Sequence, residues 1–376
     1  MMPDVLGKLA GLLRDRGQEM ARMDVVAGFD GFVDEMISVV EERSSLEKFR
    51  RVETIARFAE LIAGAAGRSS LREIVLTSVD AGGCAVNFGD GIASLGVRLD
   101  VFATLGNPRH AAFDPFAKKC RSCTSWGSSV GRTLALEFAD GKYMLSATSQ
   151  LGEFDEGLMG RVLPDGRFLD ACKRAGLIAI TNWTLYPHMT QCWRRMQRDV
   201  FSRLEHRPWF FFDLVDPRSR SQADISDMLS AMRDFEKCGR VILGVNLNEA
   251  NAVAGVLGIG HADEQAEAVS RQAQDIRKNL GVSQVVTHCV KIAALADEHG
   301  TACVDGPFCP NPKKSVGAGD RFNAGFCVGQ LMGLPPEQRL LLGTAASGFF
   351  VRNARSANAA ELAKFVADWS KGLIDT

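Results

Sequence analysis

The sequence predicts an α/β fold in which a mainly parallel sheet carries helices on both faces and a small β-lid lies beside it. In the second half of the chain, short apolar segments alternate with longer segments of helical period. The apolar segments are expected to be strands, at 177–181, 209–214, 241–245 and 284–287. The expected helices between them lie at 189–204, 225–238 and 264–280. This alternation is typical of parallel strands joined by crossover helices, and such sheets bind ligands at the carboxyl ends of their strands.

The first part of the chain begins with elements of the same two kinds. The charged amphipathic stretch 5–20 predicts a helix, and 24–29 predicts a short buried strand that runs into a glycine turn. A further helix is expected over 49–66, where apolar residues recur at helical spacing.

Three other segments do not fit the alternation of strand and helix. Residues 36–40 and 73–79 are strand-like, and 132–148 has the pattern of a hairpin with a tight turn at Asp140-Gly141. We interpret these segments as a small β-lid over the active edge of the sheet. The lid segments are expected near 34–48, 70–81 and 128–148. Because there is no repeat and no low-complexity linker, the whole chain (1–376) is expected to form one domain.

Composition argues against several functional classes. The chain has 376 residues, 46% of them hydrophobic, and a formal net charge of −1 at pH 7, so nucleic-acid binding is not expected. There is no apolar run of about 18 residues to predict a membrane span, and the charged N-terminal stretch does not predict a signal peptide. Ten cysteines without such a signal predict reduced thiols in a cytoplasmic protein. Cys120 and Cys123 form one close pair, which is not expected to bind a metal without a second pair.

The motif with the most chemical information spans 314–326 and reads Lys-Ser-Val-Gly-Ala-Gly-Asp-Arg-Phe-Asn-Ala-Gly-Phe. The small residues Gly317, Ala318 and Gly319 let backbone N–H groups approach an anion, and the helix start that follows adds partial positive charge. Asp320 at the same point could take a proton from an attacking hydroxyl. The combination favours phosphoryl transfer, with the N–H groups as an anion hole and Asp320 as the base. Taken alone, the motif is also compatible with a Gly-rich turn capped by Asp320.

This motif resembles the C-terminal signature of the ribokinase/PfkB carbohydrate kinase family. An earlier segment resembles the family's N-terminal signature, with Gly82-Gly83 followed by Asn87 and Gly96 in the family's register. It departs at Gly89, where Ser, Thr or Ala is usual. The resemblance covers about 24–366 and implies a ribokinase-like fold. It also implies that Gly83 and Asn87 bind the substrate.

Two further segments match motifs of the same family. Asn246 and Glu249 match an Asn-x-x-Glu motif that organises Mg²⁺ and its waters near the phosphates, since Mg²⁺ takes oxygen ligands and keeps most of its waters. Taken alone, this pair would be a helix cap followed by a first-turn acid. The family's substrate-binding aspartate follows the first strand, where both Asp30 and Asp34 stand. Asp34 lies nearer the expected distance beyond Gly28 and is preferred, whereas Asp30 could cap the turn or be the ligand itself.

Three departures from the family pattern concern the nucleotide side. The turn after Thr287, which lies along the nucleotide in the family, lacks both usual glycines. Lys314 and Ser315 stand where Asp-Thr is usual, so a lysine could meet phosphate. Arg321 replaces a small hydroxyl residue and could contact phosphate or face solvent. Asn246, Thr287, Lys314 and Ser315 are therefore expected at the nucleotide and its phosphates, while the nucleotide preference stays open.

The resemblance implies a PfkB-type carbohydrate kinase that transfers the γ-phosphoryl group of ATP, with Mg²⁺, to a hydroxyl of a sugar or sugar-like acceptor. A nucleoside acceptor is an alternative, because Phe29, Phe32 and Trp183 could stack a base. From another class, the chain could be a ligand-binding sensor without turnover, which the missing late glycines favour and the intact 317–320 run opposes. No nucleic-acid or membrane partner is expected, and the lid edges could pair with a second subunit.

Overall fold

The computed structural model of the protein describes residues 2–375, which form two β-sheets with helices around them. In chain order the strands are β1 (Asp24–Gly28), β2 (Phe32–Arg43), β3 (Phe49–Arg51), β4 (Ile74–Gly82), β5 (Arg98–Ala103), β6 (Ser122–Ser125), β7 (Gly131–Phe138), β8 (Gly141–Ala147), β9 (Leu177–Thr181), β10 (Trp209–Asp213), β11 (Arg240–Asn246), β12 (Gln284–His288), β13 (Ile292–Asp297) and β14 (Gly300–Asp305). The α-helices are α1 (Met2–Asp15), α2 (Gly17–Met20), α3 (Ile55–Ala63), α4 (Cys84–Ser94), α5 (Asp114–Ala117), α6 (Glu156–Val162), α7 (Arg167–Arg174), α8 (Met189–Asp199), α9 (Gln222–Arg233), α10 (Leu247–Val256), α11 (Ala266–Leu280), α12 (Ala318–Leu331), α13 (Pro336–Asn353) and α14 (Ala359–Ser370).

The larger sheet has nine strands in the order β14-β13-β12-β11-β10-β9-β1-β5-β6. Neighbouring strands from β12 to β6 are parallel, and β13 and β14 extend one edge in antiparallel pairing. Successive side chains of a strand point to opposite faces of the sheet, and here the side chains on both faces are buried. In β10, Phe210 and Phe212 belong to one apolar core and Phe211 belongs to the other. Helices therefore cover the sheet on both faces, and the fold class predicted from the sequence is confirmed.

The second sheet is formed by strands from the first third of the chain and the hairpin. Its central strand β2 pairs in parallel with β7 and antiparallel with β4 and β3, and β8 completes the hairpin with β7. Apolar residues of β2 and β7 pack under α3, in a small core that includes Ile37, Val39, Leu136 and Phe138. Several apolar side chains of β4 and β8 are exposed instead, namely Ile74, Leu76, Val79, Tyr143, Met144 and Leu145.

Most of the predicted elements in the second half of the chain are confirmed. The strand expected at 177–181 coincides with β9, and the other three predicted strands agree with β10, β11 and β12 to within one residue at each end. The helices expected at 189–204 and 225–238 end earlier, as α8 and α9. Each continues into a short 3-10 turn, at Phe201–Arg203 and Asp234–Lys237.

Other predicted boundaries were wrong for local reasons. The helix expected over 49–66 starts only at Ile55, because Phe49–Arg51 pairs with β2 and the Thr54 side chain accepts a hydrogen bond from the Arg57 N–H (3.1 Å) as an N-cap. The hairpin turn lies one residue earlier than predicted, because Phe138 pairs with Gly141. Within residues 2–375, no helix has both the length and the apolar character needed to cross a membrane.

Candidate active site

Four acidic residues meet at the carboxyl edge of the parallel strands. Asp30 follows β1, Asp213 ends β10, Glu249 lies in the first turn of α10 directly after β11, and Asp320 lies in the first turn of α12. Carboxyl ends of parallel strands share one edge, so these four elements bring the acids together. One oxygen each of Asp213 and Asp320 and the sulfur of Cys84 lie within 4.8 Å of one another. All four carboxyl groups are less than 10% exposed.

The turn before α12 has the backbone that the sequence motif predicts. Gly317 adopts φ = 87°, a left-handed conformation that favours glycine, and it is the N-cap of α12. The Ala318 N–H is engaged with the Ser315 carbonyl (3.1 Å). Within the described part of the chain, the N–H groups of Gly317 and Gly319 donate to no backbone acceptor, so they are free for an anion. Of the three N–H groups assigned to the anion hole, Gly317 and Gly319 are therefore the better placed.

Asp320 carries a carboxyl group with a strongly perturbed proton affinity. Burial, together with the charges of Asp213 and Asp30, raises its pKa to about 8, while the Arg321 charge and the Asn87 amide act in the opposite direction. Burial likewise raises the pKa of Asp213 to about 6, although its carboxylate accepts a hydrogen bond from the Asn323 side chain (2.7 Å). A carboxyl group with such a raised pKa would suit a general base that works near neutral pH.

The two candidate aspartates after β1 have different surroundings. The Asp30 carboxylate accepts four hydrogen bonds, from the N–H groups of Cys84 (2.7 Å) and Ala85 (2.8 Å) and from the side chains of Thr181 (2.7 Å) and Asn182 (2.9 Å). Its hydrogen-bonding capacity is thus used by protein donors. The geometry makes Asp30 the group that fixes the start of α4, which favours the capping role left open by the sequence.

Asp34 lies instead in β2, and none of the four donors that occupy Asp30 reaches it. It pairs in register with Asp80 of β4 and with Thr133 of β7. A side chain at Gly82 would come within 2.2 Å of the Asp34 Oδ2 atom, so Gly82 makes space for this carboxylate. Burial raises the pKa of Asp34, and the nearby charge of Lys314 lowers it. The second sheet therefore contributes Asp34 to the edge of the site.

Gly83 and Asn87 place the start of α4 beside Asp30 and beside the turn that precedes α12. Gly83 has φ = 97°, and a Cβ there would lie 3.0 Å from the Asp30 Oδ2 atom. A Cβ on Gly317 would lie 3.3 Å from the Asn87 Nδ2 atom. The Asn87 amide is therefore beside the turn formed by residues 317–319, which is called the anion turn from here on. The sequence assigned both residues to the substrate. The structure places Asn87 close enough to Asp320 and Gly317 to orient them as well.

Asn246 and Glu249 form a reciprocal capping box at the start of α10. The Glu249 N–H donates to the Asn246 Oδ1 (3.0 Å), and the Asn246 N–H donates to the Glu249 Oε2 (2.9 Å). Burial and the charges of Asp213, Asp216 and Asp320 raise the pKa of Glu249 well above its usual value. The carboxylate oxygens that crowd here suit a hard divalent cation such as Mg²⁺, whereas the nearby Cys84 sulfur does not. The capping role and a metal-organising role are thus compatible.

A cavity of about 490 Å³ adjoins the anion turn. Asn246 and Ser315, two of the residues that the sequence predicts at the nucleotide, line it. Thr287 does not line it, because its side chain is fully buried within β12. Lys314 does not line it either, because its ammonium group lies 3.7 Å from the Asp80 carboxylate of β4. The structure therefore does not place Thr287 or Lys314 at this cavity, and their roles at the nucleotide stay predictions.

His288 stands at the cavity where the sequence suggested Thr287. It ends β12 and packs at a tilt against Phe322, with ring centroids 5.0 Å apart. Its ring would lie 2.9 Å from a Cβ on Gly319. Burial lowers its pKa to about 4, so the imidazole is neutral at pH 7. Neither His288 nor Asp213 was predicted as a site residue from the sequence. The available signal was the same for both, namely a polar residue at the carboxyl end of an apolar strand.

Arg321 does not face solvent. Its side chain is 9% exposed and pairs with Asp90 of α4 (3.2 Å). It also donates to the Ser356 hydroxyl (3.2 Å) and to the Gly317 carbonyl (3.4 Å), and its guanidinium lies 4.4 Å from the centre of the Phe350 ring. The solvent-facing alternative drawn from the sequence was wrong, and contact with phosphate stays a prediction. Arg321 instead joins α4 to the anion turn.

Comparison with known proteins identifies the family. The sequence model of the prokaryotic ketohexokinase family matches residues 9–369. The chain belongs to this family. A ketohexokinase from Haloferax volcanii is 28% identical over 350 residues, which cover 92% of this chain and 91% of that protein. The predicted resemblance to ribokinase/PfkB carbohydrate kinases is thereby confirmed, and the chain is a carbohydrate kinase, a phosphotransferase that acts on a sugar hydroxyl.

Solved structures agree on the fold. A ribokinase from Arabidopsis thaliana, in complex with ribose and ATP, superposes with a TM-score of 0.62 at 16% identity over 92% of this chain and 98% of that one. An adenosine kinase from Sinorhizobium meliloti gives a TM-score of 0.61 at 16% identity over 91% of this chain and 99% of that one. Because a sugar kinase and a nucleoside kinase match equally well, the fold alone does not select the acceptor; family membership favours the sugar.

Proposed function

We propose that this prokaryotic ketohexokinase-family member transfers the γ-phosphoryl group of ATP to a primary hydroxyl of a ketohexose. The observation that carries the proposal is the position of Asp320, a buried carboxyl group of raised pKa directly beside the free N–H groups of Gly317 and Gly319. A base and an anion site at one helix start are the two elements that phosphoryl transfer to a hydroxyl requires. The name of the Haloferax volcanii relative supports a ketohexose as the acceptor.

In the proposed reaction Asp320 accepts the proton of the attacking hydroxyl as the new O–P bond forms and the bond to the leaving phosphate breaks. The N–H groups of Gly317, Ala318 and Gly319 surround the transferred phosphoryl group. In a site shielded from water their dipoles stabilise its charge more strongly than in solution. The Ala318 N–H contributes only if it leaves the Ser315 carbonyl.

The acceptor is held by the second sheet and by the start of α4. Asp34 binds substrate hydroxyls from β2, and Asn87 and the backbone at Gly83 approach from the start of α4. Asp30 acts through its hydrogen bonds to Cys84 and Ala85, which set the position of α4. The second sheet acts as a lid whose closure excludes water that would otherwise take the phosphoryl group.

On the donor side, the cavity beside Asn246, Ser315 and His288 receives the nucleotide. Asn246 and Glu249 organise Mg²⁺ through water, and Asp213 faces the same position. When bound, the cation would neutralise phosphate charge. The buried oxygen donors of Glu249 and Asp213 support this fit, because burial raises the pKa of both carboxyl groups and a nearby positive charge would offset that effect.

The proposal also covers the oligomeric state and the location of the protein. The exposed apolar side chains on β4 and β8 support a homodimer formed through the lid, since such side chains on open strands favour pairing with another surface. The ten cysteines are free thiols, which supports a reducing, cytoplasmic location.

A coupled assay of ADP release tests the acceptor. The purified chain is supplied with Mg-ATP and, in separate reactions, ketohexoses, aldohexoses, pentoses, sugar acids and nucleosides. We expect the highest kcat/KM with a ketohexose. A nucleoside as the best acceptor would establish the nucleoside kinase alternative. Ligand binding by thermal shift without turnover on any acceptor would support the sensor.

A further inference from the structure

A polar groove lies at the opposite end of the larger sheet from the candidate active site. Its volume is about 740 Å³. Trp209, Arg240 and Gln284, which are the first residues of β10, β11 and β12, line it together with the end of α11. The other ends of the same three strands reach the candidate active site. The groove is thus separate from the nucleotide cavity.

The charge lining this groove is not balanced. Five basic side chains face three acidic ones; the basic ones are Arg207, Arg240, Arg277, Lys278 and Arg339, and the acidic ones are Glu236, Asp297 and Glu298. Across residues 2–375 many arginines form ion pairs, but none of these five does. Glu236 is occupied by the N–H groups of Val241 (3.0 Å) and Ser283 (2.6 Å). Positive charge is therefore left without a partner in the groove.

Neutral oxygens hold three of the guanidinium groups in place. Arg207 donates to the Gly239 carbonyl (2.6 Å), and Arg277 donates to the Val282 carbonyl (3.4 Å). Arg339 donates to the side-chain oxygen of Gln330 (2.7 Å). Such contacts fix the positions of the cations without cancelling their charge. A preorganised cationic group loses less side-chain entropy when it binds an anion.

A buried polar group points to a ligand independently of these charges. The Gln284 side chain is 5% exposed and lines the groove, and its Oε1 atom has no hydrogen-bond partner among the described residues. Buried polar atoms in proteins almost always have a partner, because an unpaired one is costly. Next to it, the Arg240 guanidinium lies 5.2 Å from the centre of the Trp209 ring. The groove thus combines cations, an unpaired amide and an aromatic face.

We propose that this groove is a binding site for a phosphate-bearing small molecule. A phosphate group offers several oxygens, which suits a set of guanidinium groups better than a single carboxylate does. The volume exceeds what one phosphate needs, so a sugar or nucleoside portion fits beside it, within reach of the Gln284 amide and the Trp209 ring. Inorganic phosphate and a phosphate ester share this chemistry, and the experiment separates them.

The test compares ligand binding by a groove variant and by a matched control. Arg240→Glu combined with Lys278→Glu reverses two exposed charges in the groove, whereas Arg271→Glu reverses an exposed charge on the same helix α11 outside it. Inorganic phosphate, ADP and a hexose 1-phosphate are titrated into each protein by isothermal calorimetry. Because the readout is binding, it is independent of whether the proposed kinase reaction is correct.

We expect at least one probe to bind the wild type and the Arg271→Glu control equally, and the double variant at least tenfold more weakly. ADP should then show one binding event beyond that of the nucleotide cavity, if a nucleotide is the ligand. If the double variant loses affinity only for the hexose 1-phosphate, the ligand is a sugar phosphate; if it loses affinity only for inorganic phosphate, the ligand is free phosphate. Equal affinities and stoichiometries of all three probes in the wild type and the double variant would overturn the proposal.

Discussion

Replacing Arg321 by methionine tests how the anion turn is held. The substitution removes the ion pair with Asp90 (3.2 Å) and the hydrogen bonds to Ser356 (3.2 Å) and to the Gly317 carbonyl (3.4 Å), while it keeps an apolar stem near Phe350. Without its partner in α4, the turn can no longer be fixed relative to the start of that helix. We expect the catalytic geometry at Gly317 to loosen.

The size of the effect follows from burial. Removing one partner of a buried ion pair costs about 3–5 kcal/mol, and the low end applies because Asp90 keeps Lys119 and the Ser356 hydroxyl as partners. With an unfolding entropy that scales with chain length, a loss of about 3 kcal/mol lowers the Tm of a chain of 376 residues by about 4 °C. A misplacement of about 1 Å at reacting groups costs about a hundredfold in rate, so kcat should fall by about that factor.

The assay is steady-state kinetics at a temperature where the variant stays folded. Lys119→Met is the matched control, because it also removes a cationic partner of Asp90 but does not touch Gly317. We expect kcat to fall about a hundredfold in Arg321→Met with the acceptor KM nearly unchanged, and Arg321→Lys to recover part of it. Wild-type kcat in Arg321→Met, together with a lowered Tm, would show that Arg321 serves packing alone and would refute the reasoning.

Two further predictions concern the acceptor and pH. Asp34→Asn should raise the acceptor KM about tenfold or more, because a charge-assisted hydrogen bond is lost, with the ATP KM nearly unchanged; equal changes in both would contradict this role. In the absence of Mg²⁺, raised pKa values mean that the folded state holds the protons of Asp213 and Asp320 more tightly than the unfolded state does. Both groups should therefore contribute fully to the free energy of unfolding, measured in urea, below about pH 4. The contribution of Asp213 should be lost as pH rises through about 6, and that of Asp320 as pH rises through about 8. In Asp213→Asn the decline should be smaller, and an unchanged profile would argue against it.

The fold was predictable where the chain repeats one pattern. Apolar strands such as β9 and β10 are buried on both faces, so their composition marks them and their ends. The edge strands β13 and β14 were not predicted. They are joined to β12 and to each other by short turns, so they do not follow the alternation of strand and helix. The start of α3 was misplaced because tertiary pairing of Phe49–Arg51 with β2 prevails over helical spacing.

The candidate site was predictable where a function depends on local chain geometry. Gly317 needs its left-handed backbone and Asp320 its helix start, and both leave a local pattern in the sequence. Asp213, His288 and the Asp90–Arg321 pair lie far apart in the chain and meet only through the fold, so no local pattern reveals them. The choice between Asp30 and Asp34 also depended on tertiary contacts, since only the structure shows that four protein donors occupy Asp30.

The most direct test of the central claim is the turnover of Asp320→Asn with Mg-ATP and the best ketohexose. The variant keeps the shape of the side chain but cannot accept the proton. Asp275→Asn in α11 serves as the control, and ligand-induced thermal shifts verify that both variants bind ATP. Loss of general base catalysis lowers rates by roughly 10²–10⁴-fold, so we expect kcat to fall by about a thousandfold in Asp320→Asn alone. A wild-type kcat in this variant would contradict the assignment of Asp320 as the base and, with it, the proposed mechanism.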